Sequence, residues 1–81
     1  MSAIRPRFAV GDHVIDTLDD AYGVVLSVDN KAHGVTARWY DLIRRRPVHP
    51  EPLFALDQFI RPADLVDKAQ AATMGVPHVN L

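Results

Sequence analysis

The densest group of chemically distinctive side chains is a run of three consecutive arginines at positions 44–46. An aromatic pair, Trp39-Tyr40, precedes this run within one predicted strand. Arginine binds phosphate through paired hydrogen bonds, and aromatic rings stack on unpaired bases. The pattern therefore predicts a face for nucleic acid or another partner. Its candidate residues are Arg38, Tyr40, Arg44, Arg45 and Arg46.

A second interpretation of the arginine run is a solvated strand end that nearby aspartates neutralise. The 81 residues carry a net charge of −1. Residues 8–30 contain five aspartates and neither lysine nor arginine. Non-specific DNA binding requires several unopposed cations, so this balance favours protein partners over nucleic acid. Trp39 shares a predicted face with Val35 and Ala37, which favours a core position for it.

Catalytic and metal-binding chemistry has little support in the sequence. Cysteine is absent, which excludes disulfides, thiolate zinc sites and cysteine nucleophiles. The four histidines have neither the strand nor the helix spacing of paired metal ligands. Asp19 and Asp20 lie in a predicted turn, where carboxylates are typically solvated and support the turn. We expect no enzyme activity, no metal and no cofactor.

The elements that must position the arginines are strands. Residues 12–17, 22–28 and 35–43 are predicted strands, and a polar loop ending in Gly34 separates the last two. Alternation puts Val35, Ala37 and Trp39 on one face of the third strand. In the second strand, alternation predicts a single face shared by Tyr22, Val24, Leu26 and Val28. We expect one sheet face in a core and the other in water.

The second half of the chain begins with a proline-rich loop and ends with a helix. The prolines at 47, 50 and 52 predict a loop, partly in polyproline II conformation, and residues 53–60 a fourth strand. Pro62 predicts a helix start and Gly75 its end, so the helix covers about residues 62–74. Its predicted inner stripe is Leu65, Val66, Ala69 and Thr73. The alternative is one 3₁₀ turn at 63–65, followed by a fifth strand or a loose tail.

Adjacent apolar residues give the fourth strand two apolar faces. Such a strand is either buried on both sides or has a face that awaits a partner. The candidate interface residues are Phe54, Phe59 and Ile60. A homodimer through this strand or through the helix also fits this pattern.

Short antiparallel strands followed by one helix predict a mainly β small barrel. The segment Phe8-Ala9-Val10-Gly11-Asp12-His13-Val14, followed by Gly23-Val24-Val25, resembles the opening of SH3-like barrels of the KOW and Tudor type. The resemblance implies four to five antiparallel strands with a short C-terminal helix. We expect one domain over 1–81, with the barrel at about 8–61 and a tail at 75–81.

A narrower resemblance is to the bacterial hemimethylated-DNA-binding (heat-shock protein Q) family. It rests on residues 8–11, on Gly23 to Asp29, on Trp39-Tyr40, and on Ala55 with Asp57-Gln58-Phe59. It implies DNA binding and a role as a helper of proteolysis. Asp57-Gln58-Phe59-Ile60 also resembles a late strand of type II dihydrofolate reductases, although only its glutamine matches.

These observations favour a non-catalytic binding module or accessory subunit that acts through protein–protein contacts. A DNA- or RNA-binding barrel that uses the arginine face is the alternative, and a type II dihydrofolate reductase-like enzyme is a remote one. No apolar run approaches the roughly 18 residues of a membrane span. We expect a cytoplasmic protein with a protein partner or larger complex, with nucleic acid as the alternative partner.

Overall fold

A hairpin of two long strands forms the centre of the fold. A computed structural model describes residues 7–79, which form one six-stranded antiparallel sheet and one helix. The mainly β prediction is confirmed, whereas a closed barrel is not. The elements in chain order are β1 His13–Asp16, β2 Ala21–Asp29, β3 Gly34–Asp41, β4 Arg46–Pro47, β5 Leu53–Leu56, a 3₁₀ turn Asp57–Phe59, β6 Ile60–Pro62 and α1 Leu65–Thr73.

The sheet has the order β4-β3-β2-β1-β6, and β5 pairs with the other end of β3. The predicted fourth strand, 53–60, is wrong because a 3₁₀ turn divides it into β5 and β6. The Asp57 amide donates to the His33 carbonyl at 2.8 Å, and the chain then crosses to β1. Within residues 7–79, β5 and β6 form no ladder with each other, so the sheet is not closed.

A β-bulge at Leu26 changes which side chains of β2 share a face. The pairing of β2 with β3 shifts register between Val25 and Ser27. Leu26 is exposed, and Val28 packs against the cluster that contains Val25. The predicted face of Tyr22, Val24, Leu26 and Val28 is therefore wrong, because one extra residue reverses the alternation after it.

Both faces of the sheet carry a hydrophobic cluster. The expectation that one face is exposed to solvent is therefore also wrong. The first core lies on the Trp39 face and contains Phe8, Val14, Ala21, Val25, Val35, Ala37, Trp39 and Ile60. The second core joins the opposite face to α1 and the segment after it, through Ile15, Tyr22, Ala63, Ala71 and Val76. The positions predicted for Val35, Ala37 and Trp39 are confirmed.

The predicted helix exists but begins later than expected. Pro62 belongs to β6, and Asp64 is the N-cap. Asp64 and Asp67 form a reciprocal capping box, which satisfies amides that the first helical turn leaves unpaired. Gly75 follows the helix at φ +80°, as expected for a helix end.

The inner stripe predicted for α1 is wrong. Leu65 and Val66 are 71% and 69% exposed, and Ala71 is the buried residue of the helix. The start at Leu65 sets this rotation, because the capping box and the Arg61–Asp67 contact (2.8 Å) fix the first turn against β6. No helix among residues 7–79 is long and apolar enough to cross a membrane.

Trp39 lies across Gly23, its direct partner in the β2–β3 ladder. A Cβ atom at Gly23 would lie 2.5 Å from the indole Cζ3. That distance is too short for a real contact, so only glycine allows the ring to lie flat here. Gly23 thus leaves the space for the largest side chain of the first core.

We predict that Gly23→Ala lowers the free energy of unfolding by about 1–3 kcal/mol, because the added methyl group displaces the indole. The same substitution in a Trp39→Phe background should cost less, since the smaller ring leaves room for the methyl group. Urea unfolding of the four proteins of this cycle measures the difference. An equal cost in both backgrounds would contradict the proposed contact.

Candidate functional site

A groove of about 490 Å³ opens on the Trp39 side of the sheet, between β5 and the segment that follows β3. Ala21, Trp39 and Ala55 belong to its lining and also pack in or against the first core. Exposed apolar residues complete this part of the lining, and they include Ile43, Val48 and Leu53. Apolar residues around a concave surface are typical of a site that accepts an apolar group.

Trp39 connects the two sides of this groove. Its indole Nε1–H donates to the Leu53 carbonyl at 3.0 Å, which ties it to the start of β5. Its own carbonyl accepts from the Val48 amide at 3.0 Å, which holds the segment after β4. The groove therefore depends on one residue that is also part of the core.

The loop after β3 is shaped by Asp41. One carboxylate oxygen of Asp41 accepts from the amides of Ile43 and Arg44, both at 2.9 Å. Arg45 follows at φ +57°, and the chain returns so that Arg46 pairs with Asp41. This turn leaves Ile43 85% exposed at the groove.

The charge of Asp41 is favoured by the same contacts. The hydrogen bond from the Arg44 amide lowers the pKa of Asp41 below its usual value, and the amide of Ile43 and the guanidinium groups of Arg44 and Arg46 add to this effect. Burial opposes it but does not reverse it. Asp41 therefore stays a carboxylate at neutral pH.

Three aspartates line the groove beside its apolar residues. They are Asp16 at the end of β1, Asp19 in the following turn and Asp41 at the end of β3. Among residues 7–79, Arg44 is the one basic residue in the lining, with its Nε 3.9 Å from Asp41 Oδ2. The acidic residues thus outnumber the basic one, which favours a cationic group in a ligand.

Sequence reasoning did not find this acidic group. The three aspartates come from separate segments, and their spacing along the chain has no recognisable pattern. The excess of acid over residues 8–30 was the available signal, but it did not indicate that Asp41 would join Asp16 and Asp19. Only the pairing of β1 and β3 on either side of β2 brings them to one end of the sheet.

The predicted arginine face is divided between different contacts. Arg38 Nη1 donates to the Pro50 carbonyl at 3.1 Å, and Arg45 Nη2 donates to the Thr73 carbonyl of α1 at 3.0 Å. Arg44 lines the groove, whereas Arg38 and Tyr40 line a separate hollow with Val24, Leu26, Pro77 and His78. The five predicted residues therefore do not converge on one surface.

The predicted interface residues also have different environments. Ile60 is 3% exposed and packs in the first core, so the folded chain does not present it at the surface. Phe59 is half-buried, and its carbonyl accepts from the Thr17 amide at 2.8 Å. Phe54 is exposed, and its ring lies against Gly34 of β3, where a Cβ atom would clash.

The histidines do not form a metal site in the described part of the chain. No group of three or more potential ligand side chains converges within residues 7–79. His13 Nδ1 instead contacts the Tyr22 hydroxyl at 2.5 Å. Burial, together with Lys68 and His78, lowers the pKa of His13 below 6.5. Burial and Asp67 raise the pKa of Tyr22 to about 12.

No family model, no curated protein and no solved structure matches this chain. The function must therefore be inferred from the geometry and charge of the groove and of the surfaces around it.

Because the pKa of His13 is lowered in the folded state, we predict that the protein loses stability on acidification. Its folded-state pKa is lower than its unfolded value of 6.5, so the unfolded chain binds more protons between these two values. The free energy of unfolding should fall as pH decreases through this window and the His13 contribution should level off below it. His13→Gln, whose amide oxygen can still accept from Tyr22, should reduce this slope.

Urea unfolding at a series of pH values from about 8 to about 5 measures this effect. The matched control is His49→Gln, which removes an exposed loop histidine. If His13→Gln and the wild type have the same pH slope, burial of His13 is not the cause.

Proposed function

We propose that the protein is a non-catalytic binding module that holds a segment of a partner protein in the groove beside Trp39. The observation that carries this proposal is the combination of exposed apolar residues with an excess of aspartates over basic residues in one concave surface, within the described part of the chain. Exposed apolar residues in a groove are typical of protein-binding sites. Ile43, at 85% exposure, is the least protected of them.

The lining also indicates the chemistry of the partner. An apolar side chain of the partner would lie against Trp39 and Val48 and be shielded from water by Ile43. A lysine or arginine a few residues away would lie beside Asp16 and Asp19. Complementary charges of this kind increase association rate and selectivity more than they increase affinity.

The same lining disfavours nucleic acid at the groove, because aspartates repel phosphate. The alternative function places nucleic acid on Arg44, Arg45 and Arg46. The resemblance to the hemimethylated-DNA-binding family implies DNA binding, but these arginines are not part of that family's pattern. Arg45 donates to the helix and Arg44 lies beside Asp41, so phosphate would have to compete with these contacts. We therefore favour the protein partner.

We further propose that the fold is an SH3-like barrel of the KOW and Tudor type. The strand order supports this proposal: three consecutive antiparallel strands lead, through β5 and a 3₁₀ turn, to a last strand that pairs with β1. Fold alone does not assign a function, so the groove remains the basis of the argument.

A random peptide library displayed on phage is the probe for the proposed function. Selected peptides should combine an apolar residue with a nearby lysine or arginine. Trp39 is the only tryptophan, so its fluorescence reports binding without a label. Ile43→Glu should weaken binding of the selected peptides by about tenfold or more, because it places a charge in the apolar part of the groove.

The matched control is Val66→Glu, which makes the same kind of change on α1, at a position 69% exposed and outside the groove lining. It should leave the affinity unchanged. Equal losses from both substitutions, or no selected peptide at all, would reject the groove as a protein-binding site.

Duplex DNA, hemimethylated and unmethylated, tests the alternative function in a salt series. Tight binding at low salt that falls as salt rises, and that weakens when Arg44, Arg45 and Arg46 are all changed to alanine, would replace our proposal with the nucleic-acid function. We expect no such binding.

A further inference from the structure

Among residues 7–79, no strand pairs with the outer edge of β5, which carries exposed apolar side chains. Leu53, Phe54 and Leu56 are 41%, 48% and 38% exposed. The strand is short, but it contains no charge, proline or bulge, which are among the devices that prevent a sheet edge from pairing with another chain. This edge is therefore open to the addition of a strand.

The register of β5 identifies which backbone groups face outward. The Asp57 amide donates to the His33 carbonyl, and Ala55 pairs with Val35. Because bonded and non-bonded positions alternate in an antiparallel ladder, Leu53 and Ala55 direct their amides and carbonyls toward β3. Phe54 and Leu56 direct theirs away from it.

One outward carbonyl is already committed. Leu56 is the N-cap of the 3₁₀ turn, so its carbonyl begins that turn. The free groups are then the Leu56 amide and the amide and carbonyl of Phe54. Within residues 7–79, no contact outside the ladders engages these groups.

We propose that β5 pairs antiparallel with β5 of a second copy of this chain, with Ala55 opposite Ala55 across a two-fold axis. In this register the Leu56 amide of each copy donates to the Phe54 carbonyl of the other. The side chains of Phe54 and Leu56 then lie side by side across the junction, as a cross-strand apolar pair. Two-fold symmetry makes both halves of the interface identical.

Charges at the two ends of β5 favour a second copy as the occupant. Arg7 lies at the Asp57 end, where its Nη1 is 3.4 Å from the Asp57 carbonyl and where it shares a hollow with Leu56. Glu51 is exposed before the other end of β5. Antiparallel pairing brings the Asp57 end of each strand to the Leu53 end of the other, so each Arg7 meets a Glu51.

The size of the junction sets the expected affinity. A four-residue strand buries less surface than a permanent interface requires. We expect a reversible dimer with a dissociation constant on the order of 0.1 mM. β5 lines the groove and also forms the junction, so the two proposals share this strand and are tested by different substitutions: Ile43→Glu for the groove, and Leu56→Pro, outside the groove lining, for the junction.

Sedimentation of the purified protein over a concentration series tests the dimer. Leu56→Pro removes the outward amide, and Leu56 has φ −74°, which proline adopts without strain. This variant should weaken dimerisation by about tenfold or more. Leu56→Ala retains the amide and should weaken it less, so the pair separates the hydrogen bond from the side chain. Circular dichroism checks that both variants fold.

Charge reversal provides a second, independent test. Arg7→Glu and Glu51→Arg should each weaken dimerisation, because each places like charges together. The double variant should restore it toward the wild-type value. Amide exchange measured by NMR should show protection of Leu56 that increases with protein concentration, whereas protection of Ala55 stays constant.

A protein that remains monomeric at millimolar concentration would overturn the proposal. A dimer that tolerates Leu56→Pro, or that the double charge reversal fails to restore, would also overturn it, because self-association would then use another surface.

Discussion

The close contact between Trp39 and Gly23 is the constraint on which the rest of the structure depends. The absence of a side chain at Gly23 lets the indole lie across β2, where it forms part of the first core. In that position the indole N–H reaches the Leu53 carbonyl and so fixes the start of β5. A bulkier residue in β2 would change the core and the groove together.

Because one residue, Trp39, serves both the core and the groove, even a small chain can present a concave surface. An 81-residue chain buries little apolar surface, and each core residue matters to its stability. Trp39 serves the core and also lines the groove, so the floor of the groove is rigid. The loop that Asp41 holds forms another side of the groove and carries Ile43 and Arg44. A rigid floor with an exposed loop suits a module that binds a segment of another protein.

The strands β1 to β3 and the core face of β3 could be predicted from alternation, and the helix from its flanking proline and glycine. The bulge at Leu26 could not, because it depends on how β2 fits β3 and leaves no local signal. The split of 53–60 was hidden because apolar residues on both sides of the short 3₁₀ turn, Asp57–Phe59, give the segment the composition of one continuous strand. The acidic group at the groove could be predicted only with the order of the strands in the sheet. Likewise, Arg38 and Arg45 donate to backbone carbonyls that only the folded chain brings near them.

The most direct test of the central claim, that the groove beside Trp39 is the binding surface, is a chemical-shift map recorded while a selected peptide is added to isotope-labelled protein. Our account predicts the largest changes at the Trp39 indole N–H and at the amides of Asp41, Ile43 and Val48. Changes that instead cluster on α1, or around Arg38 and Tyr40 on the opposite face, would contradict it and place the binding surface elsewhere.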